Sequence, residues 1–207
     1  MKTIADLALQ TQTVYERNAE CFDRERPKGL HERLWLDRMV EGLSEGDTVL
    51  DIGCGAGDPI AGYFLSRGFA VTGIDASSPM IDLAKSRFPS ADWLVQDMRE
   101  IRLERAFLAV IAWHSFFHLT KDEQRAVLPK LAELVLPGGK LMLTVGPNEG
   151  EEVGRVGDDQ VYHASLSFSE YEAILNTNGL RVCDFVVEDP RCDMATILMA
   201  ERKSLKP

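Results

Sequence analysis

The decapeptide Val49-Leu-Asp-Ile-Gly-Cys-Gly-Ala-Gly-Asp58 joins a short apolar run to a turn with glycine at three alternate positions. The run at 48–52 predicts a buried strand, because it is short, apolar and bounded by turn residues. Glycine has no side chain, so the chain can turn sharply after the strand and a ligand can approach the bare backbone. A helix beginning just after the turn would direct its unpaired N–H groups at that ligand. The stretch therefore predicts a nucleotide-type cofactor site at the end of the first strand.

The residues around the glycines indicate which cofactor fits. The dinucleotide fingerprint Gly-x-Gly-x-x-Gly, or Ala last, needs a small residue at the position where this chain has Asp58. A carboxylate there would meet the pyrophosphate of NAD or FAD, so the pattern argues against both. Asp51 lies two residues before Gly53 and places a carboxylate at the strand end, facing the cleft. That arrangement suits a cationic ligand better than an anionic one.

With Asp51 included, the stretch has the form Asp-x-Gly-x-Gly-x-Gly and resembles the first motif of the class I S-adenosylmethionine-dependent methyltransferases. The resemblance implies that S-adenosylmethionine is the cofactor and that Asp51, Gly53, Cys54 and Gly55 contact it. Cys54 is interpreted as a small residue of the turn and not as a nucleophile. The motifs that match the family specifically lie within residues 40–145.

Two further strand ends match the same family. A second apolar run ends in Asp75, one strand–helix–strand step after the first motif. The resemblance implies that Asp75, followed by Ala76, binds the ribose hydroxyls of the cofactor. A third run ends in Gln96-Asp97-Met98, where the family holds the adenine by a side-chain carboxylate and a neighbouring backbone N–H. Three carboxylates at three strand ends are therefore expected to converge on one crevice.

Strands and helices alternate along most of the chain. Helix starts are indicated by a hydroxyl cap before Pro79 and by capping boxes at 120–123 and 167–170. The Pro137-Gly-Gly turn stops one helix before a strand. The pattern predicts an α/β, Rossmann-like doubly wound fold whose mostly parallel seven-stranded sheet has one antiparallel edge strand. Further strands are predicted at 107–113, 140–145, 180–188 and 194–201.

The residues before the first strand and after the fifth complete a single methyltransferase domain. Helical periodicity at 5–19 and 30–43 predicts a helical N-terminal cover over the cleft. The resemblance implies that Tyr15 and Arg26 of this cover approach the cofactor; ordinary helix packing is the alternative. An acidic, glycine-rich segment at 147–160 is expected to be a flexible loop. The predicted parts of the domain are a helical cover at 1–45, a cofactor-binding core at 46–146 and a substrate-side loop with C-terminal strands at 147–207.

Composition and charge restrict the function. The 207 residues are 45% hydrophobic, enough for one substantial core. With 33 acidic against 23 basic residues the formal net charge is −10, which would repel a polyphosphate backbone, so no nucleic-acid partner is expected. The N-terminal segment has no uninterrupted apolar run, which predicts a cytoplasmic protein without a membrane partner. The four cysteines lack Cys-x-x-Cys spacing and the histidines do not cluster, so no metal site is expected.

The side chains after the fourth strand are candidates for the acceptor side of the site. Trp113 is expected either to pack on the methionine portion of the cofactor or to complete the core. His114 follows directly, and its titration range makes it the candidate general base; the alternative is a polar residue beside the cofactor. His118 is expected to have a hydrogen-bonded structural role. Tyr162 and His163 follow the acidic segment, where the fold usually builds its substrate cover, and either contact the substrate or pack as strand residues.

The leading hypothesis is a methyltransferase that transfers a methyl group from S-adenosylmethionine to a small-molecule acceptor by in-line displacement. Alignment of nucleophile, methyl carbon and sulfur supplies about 7–11 kcal/mol, so a catalytic base is not compulsory. The alternative is a non-catalytic S-adenosylmethionine-binding regulatory or accessory protein. A nicotinamide-dependent reductase is disfavoured by Asp58. The sequence Trp-His-Ser-Phe at 113–116 also differs from the Asn-Pro-Pro-Tyr type found in amino-methylating DNA enzymes.

Overall fold

Strands and helices alternate in the computed structural model, which describes residues 3–204. Two short 3₁₀ turns, at Met98–Glu100 and Phe116–His118, follow the third and fourth strands. The elements in chain order are α1 (Ile4–Glu25), α2 (Arg33–Met39), β1 (Thr48–Ile52), α3 (Ile60–Ser66), β2 (Ala70–Asp75), α4 (Ser78–Arg87), β3 (Asp92–Val95), β4 (Phe107–Ala112), α5 (Lys121–Glu133), β5 (Val135–Val145), β6 (Gly150–Val156), β7 (Asp159–Ser165), α6 (Phe168–Thr177), β8 (Leu180–Asp189) and β9 (Ala195–Arg202).

Seven of the strands form one sheet in the order β3-β2-β1-β4-β5-β9-β8. β1 pairs in parallel with β2 and β4, β2 pairs in parallel with β3, and β4 with β5. The carboxyl ends of these five strands therefore lie at the same edge of the sheet. β9 runs antiparallel to both β5 and β8. The predicted fold class, an α/β fold with a mostly parallel seven-stranded sheet and an antiparallel pairing at one side, is confirmed.

The central position of β1 explains its nearly continuous apolar sequence. Successive side chains of a strand point to opposite faces of the sheet, and helices cover both faces here. Leu50 packs in one buried cluster with Phe107, whereas Val49 packs in a second cluster with Trp35 and Phe64. All five side chains are at most 1% exposed. The loops that follow the strands are thus held by a closely packed sheet.

The helix α1 and the hairpin β6–β7 pack against each other over the strand ends. Leu7 of α1 lies in a buried cluster with Tyr162 of β7, and Val14 lies in another with Val156 and Val161. The opposite side of α1 reaches the loop after β1, where Ala19 belongs to a cluster that includes residues of that loop and of α4. The helical N-terminal cover expected from the sequence is confirmed.

The acidic segment at 147–160 is not the loop that its composition predicts. Residues Gly150–Val156 form β6, which pairs antiparallel with β7 along its whole length. Glycine and glutamate give a weak strand signal, and the strand forms because it pairs with β7 and packs against α1, which begins more than a hundred positions earlier in the chain. β5 likewise begins earlier than predicted, at Val135, and carries Pro137-Gly138-Gly139 as an irregularity in its pairing with β4.

Candidate functional site

A cavity of about 570 Å³ lies at the carboxyl ends of β1–β4, bounded by α1 and the β6–β7 hairpin. Its volume falls in the range of roughly 300–1,000 Å³ that small-molecule and cofactor sites occupy. Most of the residues that the sequence assigned to the site line this cavity. They are Tyr15, Arg26, Gly53, Gly55, Asp75, Ala76, Gln96, Asp97, Met98, Trp113, His114 and His163.

The glycine turn after β1 is held by backbone geometry. The Gly53 N–H donates to the Ile74 carbonyl at 2.8 Å. Gly53 has φ 69° and Gly55 has φ 53°, values that residues with side chains rarely adopt. A Cβ at position 53 would overlap the side chain of Ser115, whose hydroxyl donates to the Ile52 carbonyl at 2.6 Å. The turn therefore presents bare backbone to the cavity and fixes the loop after β1 against the loop after β4.

Asp75 places a carboxylate at the end of β2, in the cavity wall. Its two oxygens accept the backbone N–H of Gly55 at 2.9 Å and of Ser77 at 2.8 Å. Burial raises the pKa of Asp75 above its ordinary value, even though these two hydrogen bonds stabilise the carboxylate. Each carboxylate oxygen has two lone pairs, so each retains one acceptor position for a ligand hydroxyl.

At the end of β3, the carboxylate of Asp97 is already engaged. It accepts the backbone N–H of Arg99 at 2.8 Å, and its Oδ2 accepts Nε and Nη2 of the same residue at 2.9 and 2.5 Å. Burial raises the pKa of Asp97, but the hydrogen bonds from Arg99 outweigh that effect and hold the pKa below its usual value. The neighbouring Gln96 is the opposite case, because its buried Oε1 has no hydrogen-bond partner within residues 3–204.

Two residues predicted to contact the cofactor do not line the cavity. Asp51 is only 2% exposed and lies within β1, one residue before its end. Burial raises the pKa of Asp51 to about 7, and the nearby charge of Arg26 partly offsets this effect. Cys54 is buried in the cluster that packs on α3. Asp51 is therefore not part of the open cavity wall, and its contact with the cofactor stays a prediction.

A chain of hydrogen bonds connects α1, the loop after β4 and β7. The Tyr15 hydroxyl lies 2.9 Å from Nε2 of His118, and Nδ1 of His118 lies 2.9 Å from the Tyr162 carbonyl oxygen. A carbonyl only accepts, so we assign the hydrogen to Nδ1, and Nε2 accepts from Tyr15. Burial lowers the pKa of His118 to about 4, so the ring is neutral near pH 7. His118 thus makes the hydrogen-bonded structural contacts expected of it.

His114 and His163 line the cavity together with Phe117, which contacts both rings. Surrounding protein lowers the pKa of His114 to about 4, although its ring opens onto the cavity, and burial also lowers the pKa of His163. The ring of His114 is therefore unprotonated near pH 7. Tyr162 is turned away from the cavity, since it is 1% exposed and its hydroxyl donates to Glu151 at 2.5 Å.

Several cavity residues were not singled out from the sequence. Glu32 is 6% exposed, lines the cavity and forms no ion pair in the described part of the chain; burial raises the pKa of its carboxyl group, and a hydrogen bond to its own backbone partly offsets this effect. Arg155 of β6 and the aromatic ring of Phe117 also line it. An acid at the start of a helix such as α2 is ordinary, and no motif marks Arg155. Phe117 alone lay in a stretch already indicated, between His114 and His118.

Comparisons of sequence connect this cavity with methyl transfer. Residues 49–139 match a family model described as a methyltransferase domain. The chain is 28% identical over 198 residues to the 27-O-demethylrifamycin SV methyltransferase of Amycolatopsis mediterranei, covering 80% of this chain and 71% of that protein. It is 32% identical over 101 residues to the dTDP-3-amino-3,4,6-trideoxy-alpha-D-glucopyranose N,N-dimethyltransferase of Streptomyces venezuelae, covering 48% of this chain and 42% of that protein.

Solved structures share the fold over nearly the whole chain. The magnesium protoporphyrin IX methyltransferase of Synechocystis, solved with bound S-adenosylmethionine, superposes with a TM-score of 0.73 at 19% identity, covering 96% of this chain and 98% of that one. A calicheamicin-pathway amino pentose methyltransferase of Micromonospora echinaspora superposes with a TM-score of 0.69 at 22% identity, covering 92% and 97%.

Proposed function

We propose that this chain is a class I S-adenosylmethionine-dependent methyltransferase that transfers a methyl group to a small-molecule acceptor held in the cavity at the ends of β1–β4. The observation that carries the proposal is that one cavity joins the glycine turn, the Asp75 carboxylate and the Gln96 amide, at three neighbouring strand ends. The family match spans the segment that supplies all three. The two relatives compared by sequence are named for small-molecule substrates, which supports an acceptor of that kind.

The chemistry of the cavity wall fits this cofactor. Asp75 retains acceptor positions for a ribose diol, and Gln96 Oε1 is a buried acceptor suited to the adenine amino group. Neither Arg26 nor Glu32 forms an ion pair among residues 3–204, so the wall offers a guanidinium and a carboxyl group to the two charges of an amino-acid portion. When bound, the cofactor supplies a methyl group already activated by a sulfonium.

The residues of the chain would then position the acceptor, exclude water and receive a proton. The cover formed by α1 and β6–β7 shields the strand ends, and the bonds from Tyr15 through His118 to β7 hold the two parts of the cover to the loop after β4. His114 is the candidate proton acceptor. Its lowered pKa keeps a ring nitrogen unprotonated throughout the neutral range, so the nitrogen can accept a proton that the substrate loses.

The proposal includes no nucleic-acid and no membrane partner. The net charge of −10 opposes association with a polyphosphate backbone. Among residues 3–204, no helix combines the length and the apolar sequence needed to span a bilayer. A cytoplasmic location and the division into cover, core and substrate-side part remain predictions from the sequence.

Calorimetry followed by an acceptor screen tests the proposed function. S-adenosylhomocysteine should bind to the purified protein and NADH should not, because Asp58 stands where a dinucleotide site needs a small residue. A panel of small acceptors incubated with S-adenosylmethionine should then release S-adenosylhomocysteine with at least one of them. Failure to bind S-adenosylhomocysteine would refute the cofactor assignment. Tight binding without release across a broad panel would support the non-catalytic alternative instead.

A further inference from the structure

The aromatic rings of four residues line one part of the cavity, and each ring contacts the next. The ring centroids of Trp113 and His114 are 5.3 Å apart, those of His114 and Phe117 are 5.8 Å apart, and those of Phe117 and His163 are 4.5 Å apart. The angles between neighbouring ring planes are 58° to 65°, close to the edge-to-face arrangement that aromatic side chains prefer. We refer to these four residues as the ring wall.

The ring nitrogens of the ring wall are unused within the protein. His118, next to the wall, has both ring nitrogens in hydrogen bonds, to Tyr15 and to the Tyr162 carbonyl. His114 and His163 have no hydrogen bond at either ring nitrogen in the described part of the chain. Polar atoms that line a cavity without a protein partner are suited to a ligand. Two imidazoles of the wall therefore offer hydrogen-bonding positions to whatever occupies the cavity.

Backbone features place both imidazoles. His114 has φ 52°, a left-handed conformation that costs a residue with a side chain about 1–3 kcal/mol and persists only where the surroundings hold it. The His114 N–H donates to Oγ1 of Thr144 at 2.7 Å, which helps to hold it. His163 lies over Gly154 of β6, where an added Cβ would overlap its ring. Gly154 thus leaves the space that His163 fills.

The ring wall is uncharged near pH 7. Surrounding protein keeps the pKa of His114 below the ordinary value and partial burial does the same for His163, so both rings are neutral. The charges of Arg26 and His163 lower the pKa of His114 further, and that of Asp193 raises it. Glu152 raises the pKa of His163, but no carboxylate is hydrogen-bonded to either ring in the described residues. An ammonium group that binds at the ring wall would therefore lose its hydration without gaining a hydrogen-bonded carboxylate there, which is unfavourable. A phenolic hydroxyl, with an ordinary pKa of about 10, is neutral there and donates to an imidazole.

We propose that the ring wall is the binding site of the methyl acceptor and that the acceptor is a flat aromatic compound with a phenol-type hydroxyl, bound through His114 and His163. This inference rests on the proposed function and names its substrate class. In the transfer, the phenol oxygen forms a bond to the methyl carbon while the carbon–sulfur bond breaks and its electron pair stays on sulfur. The phenol proton moves to an unprotonated imidazole nitrogen of the wall and from there to water.

Calorimetry in the presence of saturating S-adenosylhomocysteine tests the inference with three matched probes: 2-naphthol, 2-naphthylmethylamine and 2-naphthoic acid. The naphthol should bind tightest. Phe117→Ala should weaken naphthol binding by about 3- to 10-fold because it removes an aromatic contact. His163→Phe keeps a ring but removes the hydrogen-bond acceptor and should weaken it by about 3- to 10-fold. Gly154→Ala should act in the same direction by displacing His163.

Phe168→Ala is the matched control. It removes one ring of the Phe168–Phe185 pair, whose centroids are 4.5 Å apart, outside the cavity. Its naphthol affinity should equal that of the unmodified protein. S-adenosylhomocysteine affinity, measured for every variant, should not change and also reports folding; Phe117→Leu replaces Phe117→Ala if the latter is unfolded.

The outcomes separate this inference from the proposed function. If the unmodified protein does not bind S-adenosylhomocysteine, the proposed function fails. If it binds but the amine or the acid is the tightest probe, the phenol assignment is overturned; preference for the acid would direct attention to Arg155, which lines the same cavity. If Phe117→Ala and His163→Phe bind naphthol as tightly as the unmodified protein does, the ring wall is not the binding site of the acceptor.

Discussion

The two parts of the cavity differ in how their polar groups are used. At the ends of β2 and β3, Asp75 accepts two backbone N–H groups and Asp97 is bound by Arg99 without any ligand. On the ring wall, the ring nitrogens of His114 and His163 have no partner in the described part of the chain. The cofactor side is therefore preorganised by its own backbone, whereas the acceptor side leaves its hydrogen-bonding groups for a ligand. This difference is consistent with relatives that are similar in sequence but named for different acceptors.

Disturbing the preorganised side at its tightest point should have the largest effect. Gly53→Ala adds a Cβ that overlaps Ser115 and strains a residue at φ 69°, so the free energy of unfolding should fall by roughly 3 kcal/mol. Gly42→Ala is the matched control, since Gly42 has φ 85° but no atom within 4 Å of the added Cβ. It should lose only the backbone part, roughly 1 kcal/mol. Urea unfolding measures both losses, and equal losses would contradict the overlap.

Removal of the Asp75 carboxylate tests the cofactor side of the cavity through its effect on ligand affinity. Asp75→Ala takes away the acceptor for two backbone N–H groups as well as for ligand hydroxyls, so S-adenosylhomocysteine should bind roughly 100-fold more weakly. Asp92→Ala on β3 is the control, because the Asp92 side chain is 63% exposed and pairs with Arg105. Calorimetry should find the control unchanged. If Asp75→Ala binds S-adenosylhomocysteine as tightly as the unmodified protein does, the Asp75 carboxylate does not contact the cofactor.

His118 contacts Phe117 and His163 of the ring wall, and its lowered pKa makes stability depend on pH. Its pKa in the folded protein is about 4, below the 6.5 of an ordinary histidine. The neutral ring contributes its full stabilisation above pH 6.5, and the contribution is lost as the pH falls from 6.5 toward 4, because the unfolded chain binds the proton first. His118→Gln should remove roughly 2 kcal/mol of the stability change between pH 7 and pH 4.5. Urea unfolding at both pH values measures this difference, and identical pH dependence in the two proteins would contradict it.

The smallest expected effect shows whether Gln96 or Asp97 contributes more to binding of the adenine. Gln96→Leu removes a buried acceptor that has no protein partner, and S-adenosylhomocysteine should bind about 10-fold more weakly. Asp97→Asn mainly weakens the bonds to Arg99 and should cost about 3-fold or less. Calorimetry on both variants decides between them. A larger loss at Asp97 would assign the adenine contact to the carboxylate, as the family resemblance implies.

Features formed by one short segment could be predicted from the sequence. The glycine turn is an example, because positive φ values at Gly53 and Gly55 require glycine and the residues involved are adjacent. The capping box at Thr120 and Glu123 formed as predicted, since both partners lie within one helical turn. The alternation of such elements then indicated the sheet, and its predicted class is confirmed.

Features formed by distant segments were predicted poorly. The burial of Asp51 depends on the segments packed around β1, and Asp51 is 2% exposed and does not line the cavity. β6 formed from a segment whose composition indicates a loop, because it pairs with β7. Of the adjacent pair Tyr162 and His163, only His163 lines the cavity, since successive strand residues point to opposite faces.

The sequence by itself determined the fold class, the kind of cofactor and the three strand ends that the cavity joins, because each depends on residues close together in the chain. Tertiary structure decided the acceptor side. It brought His114 and Phe117 from the loop after β4 against His163 from β7, left the ring nitrogens of the two histidines without a partner among residues 3–204 and lowered the pKa of both histidines. Burial and ring contacts of this kind arise only when separate segments pack together, and no local pattern encodes them.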